Sequence, residues 1–187
     1  MTAALPRVGT LEWVRAIDRP ELLAATTLAA LTRWIAAEPD VADQVSVTEI
    51  DPTLADTAAL TAAYSLPPAA SANCVLVGGR RAGDERTAAA IVLATTRADV
   101  NTVIRRLLDV RKASFLPMDQ AVSESGMEHG GITPVGLPAS WRLLVDARVP
   151  EIDVAIVGSG TRRSKLLLPG RLLATLPGAE VVPDLAG

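Results

Sequence analysis

The 187-residue chain contains few of the residues on which many catalytic and binding sites depend. A single cysteine, Cys74, excludes an internal disulfide, which is typical of a protein in a reducing compartment. His129 is the only histidine, and no group of Cys, His and acidic residues has the spacing of a metal site. The sequence therefore predicts neither a metal nor another cofactor.

Aromatic residues are scarce as well, at 3% of a chain that is 49% hydrophobic. A core of Ala, Val, Leu and Ile favours mixed α/β packing over an aromatic binding face. No apolar run approaches the roughly 18 residues that a membrane span requires. The N-terminal segment MTAALPRVGTLEW lacks the apolar stretch of a secretory signal. We therefore expect a cytoplasmic protein without a membrane partner.

The chain also lacks an excess of positive charge. Its formal net charge is −3 and its pI is about 5.2. A protein that coats a long stretch of nucleic acid is usually basic, so this class is excluded. Any RNA contact is expected to be local, such as a contact with one end of a strand. Lys112 and Lys165 are the only lysines.

Hydrophobic periodicity predicts helices and strands in alternation. Helical spacing from Glu21 to Glu38, after the capping sequence Asp18-Arg19-Pro20-Glu21, predicts a helix that Pro39 ends. The other predicted helices are Asp56–Tyr64, Thr96–Val110, Asp119–Ser125 and a last one from Pro169 to about Leu176. The predicted strands are Val45–Thr48, Asn73–Val77, Thr87–Thr95, Arg142–Asp146, Val154–Val157, Lys165–Leu168 and Glu180–Val182.

The connections between the predicted strands indicate a mixed sheet. Gly78–Asp84 predicts a hairpin loop and an antiparallel pair, whereas the intervening helices permit parallel pairs. We therefore expect a single α/β domain with a mixed, curled, barrel-like sheet surrounded by helices. Residues 1–44 are expected to form an N-terminal helical extension, and residues 45–187 the domain itself.

The segment Gly126–Pro138, GMEHGGITPVGLP, contains four glycines and two prolines. Glycine permits positive φ and close approach of another chain, while proline fixes φ and removes a donor. Together they predict a rigid loop with exposed backbone N–H groups that can bind a carbonyl oxygen, an oxyanion or a phosphate. A tight turn between a helix and a strand is the alternative interpretation.

The run SGMEHGGITPVGLP resembles the signature of the YbaK family and of related prolyl-tRNA synthetase editing domains: a Gly, a few residues, then Gly-Gly-[Val/Ile]-[Ser/Thr]-Pro-x-Gly. Downstream, Leu143–Asp146 is similar to a family strand that ends in Asp, and Val157–Gly160 to a Gly-containing turn. The resemblance covers roughly residues 45–185. It implies a YbaK-like fold and hydrolysis of mischarged aminoacyl-tRNA, in which backbone donors hold the ester and a ribose hydroxyl of the substrate helps to activate water.

The resemblance, taken together with the residues around the loop, gives a set of expected site residues and partners. The catalytic positions are Gly130, Gly131, Thr133 and Pro134. The substrate-binding positions are Asn73, Ile132, His129, Asp146, Gly158, Ser159, Gly160 and Arg162. The expected partner is the acceptor end of aminoacyl-tRNA, with an aminoacyl-tRNA synthetase and a second copy of the chain as further candidates.

The chain departs from the family pattern in one place. Many active members carry a Lys on the strand before the hairpin, where this chain has Asn73-Cys74-Val75. Three interpretations follow: a trans-editing deacylase, a non-catalytic module that binds tRNA, an amino acid or a synthetase, and a structural paralogue without a ligand.

The roles of six side chains stay open. His129 could act as an acid or base. Cys74 could be a nucleophile, although a buried strand cysteine explains it as well. Arg162, Arg163 and Lys165 could meet phosphates or form a solvated turn. Asp146 could orient the loop or serve the fold alone.

Overall fold

Two β-sheets and six α-helices make up the architecture of residues 7–187, the part of the chain that a computed structural model describes. The first six residues, which begin the segment without a predicted secretory signal, lie outside it. The helices are α1 (Ala25–Ala37), α2 (Val41–Gln44), α3 (Thr57–Tyr64), α4 (Arg105–Leu107, preceded by a π-helical turn Val100–Ile104), α5 (Met118–Ser125) and α6 (Gly170–Leu173). The strands are β1 (Val14–Arg15), β2 (Ser46–Glu49), β3 (Ala72–Arg81), β4 (Asp84–Leu93), β5 (Ala113–Phe115), β6 (Arg142–Asp146), β7 (Ala155–Gly158), β8 (Ser164–Leu168) and β9 (Ala179–Val182).

The strands pair into a four-stranded sheet, β1-β2-β8-β7, and a five-stranded sheet, β5-β3-β4-β6-β9. The first sheet is antiparallel throughout. In the second, β5, β3 and β4 pair antiparallel, while β4, β6 and β9 run parallel. The expected mixed α/β class is confirmed.

The expected single curled sheet is not what these strands form. Between residues 7 and 187 the pairing closes no barrel, and one isolated bridge, Ser71 to Ile156, links the two sheets. The reason is that both sheets turn apolar faces toward one shared core. Ile91 and Val145 from the larger sheet and Leu166 and Leu168 from the smaller one are buried in the same cluster.

The predicted hairpin loop Gly78–Asp84 is wrong in its length. Strands β3 and β4 continue through it, with Arg81 opposite Asp84, and only Ala82 and Gly83 form the turn. Both turn residues have positive φ, 51° and 94°, as a two-residue hairpin with right-handed strand twist requires. Arg80 and Glu85 form an ion pair across the extended arms.

Two predicted helices begin later than expected. Pro20–Leu22 forms a short 3-10 turn, Leu23 is extended with ψ 146°, and α1 begins at Ala25. Asp18 does not cap this segment, since its carboxylate pairs with Arg15. The helical segment predicted from Thr96 begins at Val100, because the Asp99 side chain accepts from the N–H of Thr102 and caps it there.

The N-terminal segment packs against the rest of the molecule. Val14 and Arg15 pair with β2, and Leu31 and Trp34 of α1 are buried in the core that both sheets share. The division of the chain at residue 44 stays a prediction. In the part of the chain that the structure describes, no helix has the length and hydropathy to cross a membrane.

Candidate functional site

A cavity of about 330 Å³ lies between the two sheets, beside the loop that the sequence singles out. Its walls come from α3 and the residues before it, from β3, from the Gly126–Pro138 loop, and from β7 and β8. The lining residues are Ala55, Asp56, Thr57, Leu60, Ser71, Ala72, Asn73, Cys74, Val75, His129, Gly130, Ile132, Ile156, Val157, Gly158 and Lys165. Segments far apart in the chain therefore converge on one concave surface.

Glycines let the loop and the turn after β7 meet backbone to backbone. The N–H of Gly160 donates to the carbonyl of Gly131 at 2.7 Å, and the N–H of Glu128 donates to the carbonyl of Gly160 at 2.9 Å. A Cβ on Gly158 would collide with the carbonyl oxygens of Gly131 and Ile132. This close approach explains the need for glycine at these positions and holds the loop in one conformation.

Three backbone donors on the cavity side of the loop are free. The N–H groups of His129, Gly130 and Ile132 make no hydrogen bond within residues 7–187, and all three residues line the cavity. Gly130 has φ +80°, a conformation that L side chains rarely adopt. An unpartnered N–H at a concave surface can donate to a ligand oxygen.

The cavity also contains a buried cation. Lys165 on β8 is only 8% exposed, and its Nζ donates to the carbonyl of Gly130 at 3.1 Å. Burial, with a smaller contribution from the nearby Arg162 guanidinium, lowers the pKa of Lys165 to about 8, while Asp56 opposes the shift.

Asn73 occupies the β3 position at which the family resemblance implies a lysine. Its Oδ1 accepts a hydrogen bond from Thr57 Oγ1 at 2.9 Å, so the amide is tied to α3. Lys165 enters the same cavity from the opposite sheet. The site therefore lacks the expected lysine on β3 and contains a lysine on β8.

Three further ionisable side chains border the cavity. Asp56 is exposed and holds the N-cap position of α3, but its side chain does not cap the helix. His129 is also exposed. Burial raises the pKa of the Cys74 thiol to about 12, so at neutral pH the thiolate that a nucleophile requires is scarce. Across the described ranges no three His, Cys, Asp or Glu side chains gather as metal ligands would.

Several of the predicted site residues lie outside the cavity. Thr133 is fully buried within the loop, and its N–H contacts the sulfur of Met127 at 3.4 Å. Pro134 borders a different, apolar groove. Ser159 is buried, with its hydroxyl 2.7 Å from that of Ser164, and so serves the packing of the turn.

Asp146 and Arg162 are each held by other parts of the chain. Asp146 is 1% exposed and accepts from Arg148 and from the N–H of Ala186 near the C-terminus. Arg162 donates to the carbonyls of Pro52 at 2.8 Å and His129 at 3.3 Å, so it braces the loop from behind. Neither side chain lines the cavity.

The sequence does not identify Asp56 and Thr57 as cavity residues, and it predicts Lys165, with Arg162 and Arg163, as a contact for phosphates or part of a solvated turn. The signal of Lys165 is visible in the run Ser164–Leu168, where it is the one charged residue of a strand that is otherwise apolar after Ser164.

Comparison with known proteins identifies the family to which this chain belongs. Residues 51–176 match the family model of the aminoacyl-tRNA editing domain. No curated protein sequence matches the chain. Among solved structures, the hypothetical protein APE2540 superposes with a TM-score of 0.70 at 21% identity, over 84% of this chain and 99% of that one. A candidate trans-editing enzyme for prolyl tRNA synthetase superposes with a TM-score of 0.65 at 18% identity, over 82% of this chain and 95% of that one. At these identities the structures show the shared fold, and the family model spans well over half of the sequence. The chain therefore belongs to the aminoacyl-tRNA editing domain family, the family of YbaK-type proteins.

Proposed function

We propose that this protein is an aminoacyl-tRNA deacylase that acts in trans, releasing a wrongly attached amino acid from the 3′ end of tRNA. The observation that carries the proposal is the set of free N–H groups, on His129, Gly130 and Ile132, at the wall of the cavity. The cavity is large enough for a small aminoacyl group but not for a folded RNA end.

The proposed reaction is the hydrolysis of an ester. The oxygen of a water molecule attacks the carbonyl carbon, a proton passes to the leaving ribose oxygen, and the carbon–oxygen bond to the ribose breaks. The products are a free amino acid and a tRNA with its terminal hydroxyl restored. The loop N–H groups stabilise the negative charge that develops on the carbonyl oxygen, and a hydroxyl of the terminal ribose orients the water.

The rigidity of the loop supports this assignment. Catalysis by backbone donors depends on donors that are already in place before the reaction. Here the backbone bonds between Gly131 and Gly160 and between Glu128 and Gly160 fix the loop against the turn after β7. An aminoacyl ester is reactive in water, so alignment and charge stabilisation suffice without a nucleophilic side chain.

Apolar walls would select the amino acid by size. Leu60, Ile156 and Val157 line the cavity, and two of them are less than 3% exposed. A pocket of this kind rejects side chains that are too large.

The proposed reaction takes place in the cytoplasm. Its partners are the acceptor end of tRNA and, by extension, an aminoacyl-tRNA synthetase. A homodimer stays a prediction.

The test is release of labelled amino acid from a panel of correctly charged and mischarged tRNAs. We expect release from at least one mischarged tRNA and slow release from its correctly charged counterpart. The same tRNA ending in 2′-deoxyadenosine should be hydrolysed much more slowly, because the ribose hydroxyl that orients water is missing.

A binding measurement separates the alternatives. An aminoacyl-tRNA analogue with an amide in place of the ester cannot be hydrolysed but retains the shape of the substrate. Binding of this analogue without release from any ester would favour the non-catalytic module, and the absence of both would favour the structural paralogue.

A further inference from the structure

The burial of Lys165 lowers the stability of the folded protein. On β8 this residue pairs with Gly158 of β7 and Thr48 of β2, and the three residues that follow it are fully buried leucines. A buried ammonium group without an ionic partner destabilises a fold. Within residues 7–187 no carboxylate lies within salt-bridge distance of its Nζ.

The ammonium group also has unused hydrogen-bonding capacity. A protonated lysine has three donors, and only one of them has an acceptor in the described part of the chain, the carbonyl of Gly130. If Lys165 served only to hold that carbonyl, one neutral donor would do so at a lower cost of burial. The remaining donors belong to a group that lines the cavity.

The position of Lys165 specifies what it can bind. Its ammonium group contacts the carbonyl oxygen of Gly130, and it lines the same cavity as Gly130 and Ile132, so we expect a ligand oxygen bound by their free N–H groups to lie near the ammonium group. A positive charge favours an oxygen that becomes negative during the reaction over a neutral one.

We propose that Lys165 is a catalytic residue of this site: its ammonium group, anchored by the carbonyl of Gly130, stabilises the oxyanion that forms on the ester carbonyl. This proposal rests on the proposed function. It assigns to β8 the cation that Asn73 on β3 cannot supply, because the Asn73 amide is neutral and bonded to Thr57.

The decisive comparison is between Lys165→Met and Lys112→Met. Methionine fills a similar volume without charge, and Lys112 is the only other lysine and is exposed. We expect kcat of Lys165→Met to fall by about 100-fold or more, with KM nearly unchanged, as when an oxyanion donor is removed. Lys112→Met should match the wild type.

The Tm separates a catalytic role of Lys165 from a purely structural one, because loss of a lysine that stabilises the fold would lower the Tm. Because Lys165→Met removes a desolvated charge, we expect its Tm at pH 7 to be equal to or higher than that of the wild type. The difference should shrink between pH 8 and 10.5: the folded wild type releases the lysine proton near 8 and the unfolded chain near 10.5, so wild-type stability rises through this window.

Adding a cation on the other wall tests the charge itself. In the double variant Asn73→Lys/Lys165→Met the new ammonium enters the same cavity from β3. We expect it to restore part of the lost kcat.

The pH profile of the wild type is a further test. Its enzymatic rate, corrected for spontaneous ester hydrolysis, should fall as the pH rises through about 8, because Lys165 loses its charge. The other ionisable groups around Lys165 are Asp56, His129, Cys74 and Arg162.

The outcomes separate this proposal from the function on which it rests. If the wild type releases no amino acid from any tRNA, the proposed function fails. If the wild type is active and Lys165→Met keeps its kcat, Lys165 is not catalytic. An unchanged kcat with a raised KM would assign the ammonium group to binding a substrate phosphate and would also overturn the proposal.

Discussion

The Gly126–Pro138 loop borders two concave surfaces of different chemistry. Its first part, Gly130–Ile132, faces the cavity of about 330 Å³ that contains Lys165. Its second part, Pro134–Pro138, faces a groove of about 570 Å³ that is lined by α1 and by two of the three tryptophans. The groove is larger and more apolar, yet the buried lysine ammonium group lies on the cavity side.

The difference shows that concavity and hydrophobicity alone do not locate a reaction. An apolar groove can bury a ligand, but hydrolysis of an ester needs donors aimed at a developing charge. In the groove, the Arg142 guanidinium is paired with Glu180. The second part of the loop packs against α1, where a Cβ on Gly136 would collide with the backbone of Thr26. For the proposed deacylation, we expect one part of the loop to line the reacting site and the other part to anchor the loop.

The largest expected effect comes from Gly130→Ala. Gly130 has φ +80°, and a Cβ there would displace the guanidinium of Arg162, which braces the loop through the carbonyls of Pro52 and His129, so we expect the loop to lose this support and move. A displacement of about 1 Å can slow a reaction by about 100-fold. We expect a loss of this order in kcat/KM, measured by release of labelled amino acid.

Gly178→Ala is the matched control for this change. Gly178 has almost the same φ, +79°, and open space around it, and it borders the groove. Both variants carry the cost of a left-handed alanine, about 1 kcal/mol. Equal losses of activity in both would mean that backbone strain, and not the place of Gly130 in the cavity, is responsible.

A smaller effect is expected from Asp146→Asn, and on stability alone. Burial by itself would raise the pKa of Asp146, but hydrogen bonds from Arg148 and from the N–H of Ala186 outweigh it and keep the pKa below its ordinary value. Removing the charge should cost about 2 kcal/mol in the free energy of unfolding. The rate of deacylation by the folded protein should not change, because Asp146 lies outside the cavity.

The lowered pKa of Asp146 also determines how the stability difference between wild type and Asp146→Asn changes with pH. A carboxyl with a lowered pKa in the folded state contributes stability above its ordinary pKa, and this contribution is lost as the pH falls through the folded pKa. The gap between wild type and Asp146→Asn in urea unfolding should therefore close in acid. Asp153→Asn, at an exposed site, should show no gap at any pH. Slower deacylation by folded Asp146→Asn would instead place Asp146 in the site.

Local patterns predicted the elements, and long-range packing decided the site. The strand Arg142–Asp146 and the helix α5 follow from short runs of sequence, and both are predicted correctly to within one residue. Lys165 enters the cavity because β8 pairs with β7 and β2, and Asp146 meets a residue 40 positions away. No spacing along the chain encodes these contacts, whereas the glycine loop could be recognised because its backbone conformation requires particular residues.

The smallest expected effect tests the groove. Trp34 and Trp13 are 6% and 7% exposed, but the indole N–H of Trp13 donates to the carbonyl of Val8 at 3.1 Å, whereas that of Trp34 has no acceptor between residues 7 and 187. Replacing each by Phe removes similar volume. Because a buried donor without a partner is unfavourable, we expect Trp13→Phe to lose about 1 kcal/mol more of the free energy of unfolding than Trp34→Phe, measured by thermal or urea unfolding.

Trp34→Phe should also leave the rate of deacylation within about twofold of the wild-type rate, a change of less than about 0.5 kcal/mol in the activation free energy. A loss of activity comparable to that of Gly130→Ala would extend the reacting site across the loop into the groove, and the contrast between its two parts would no longer hold.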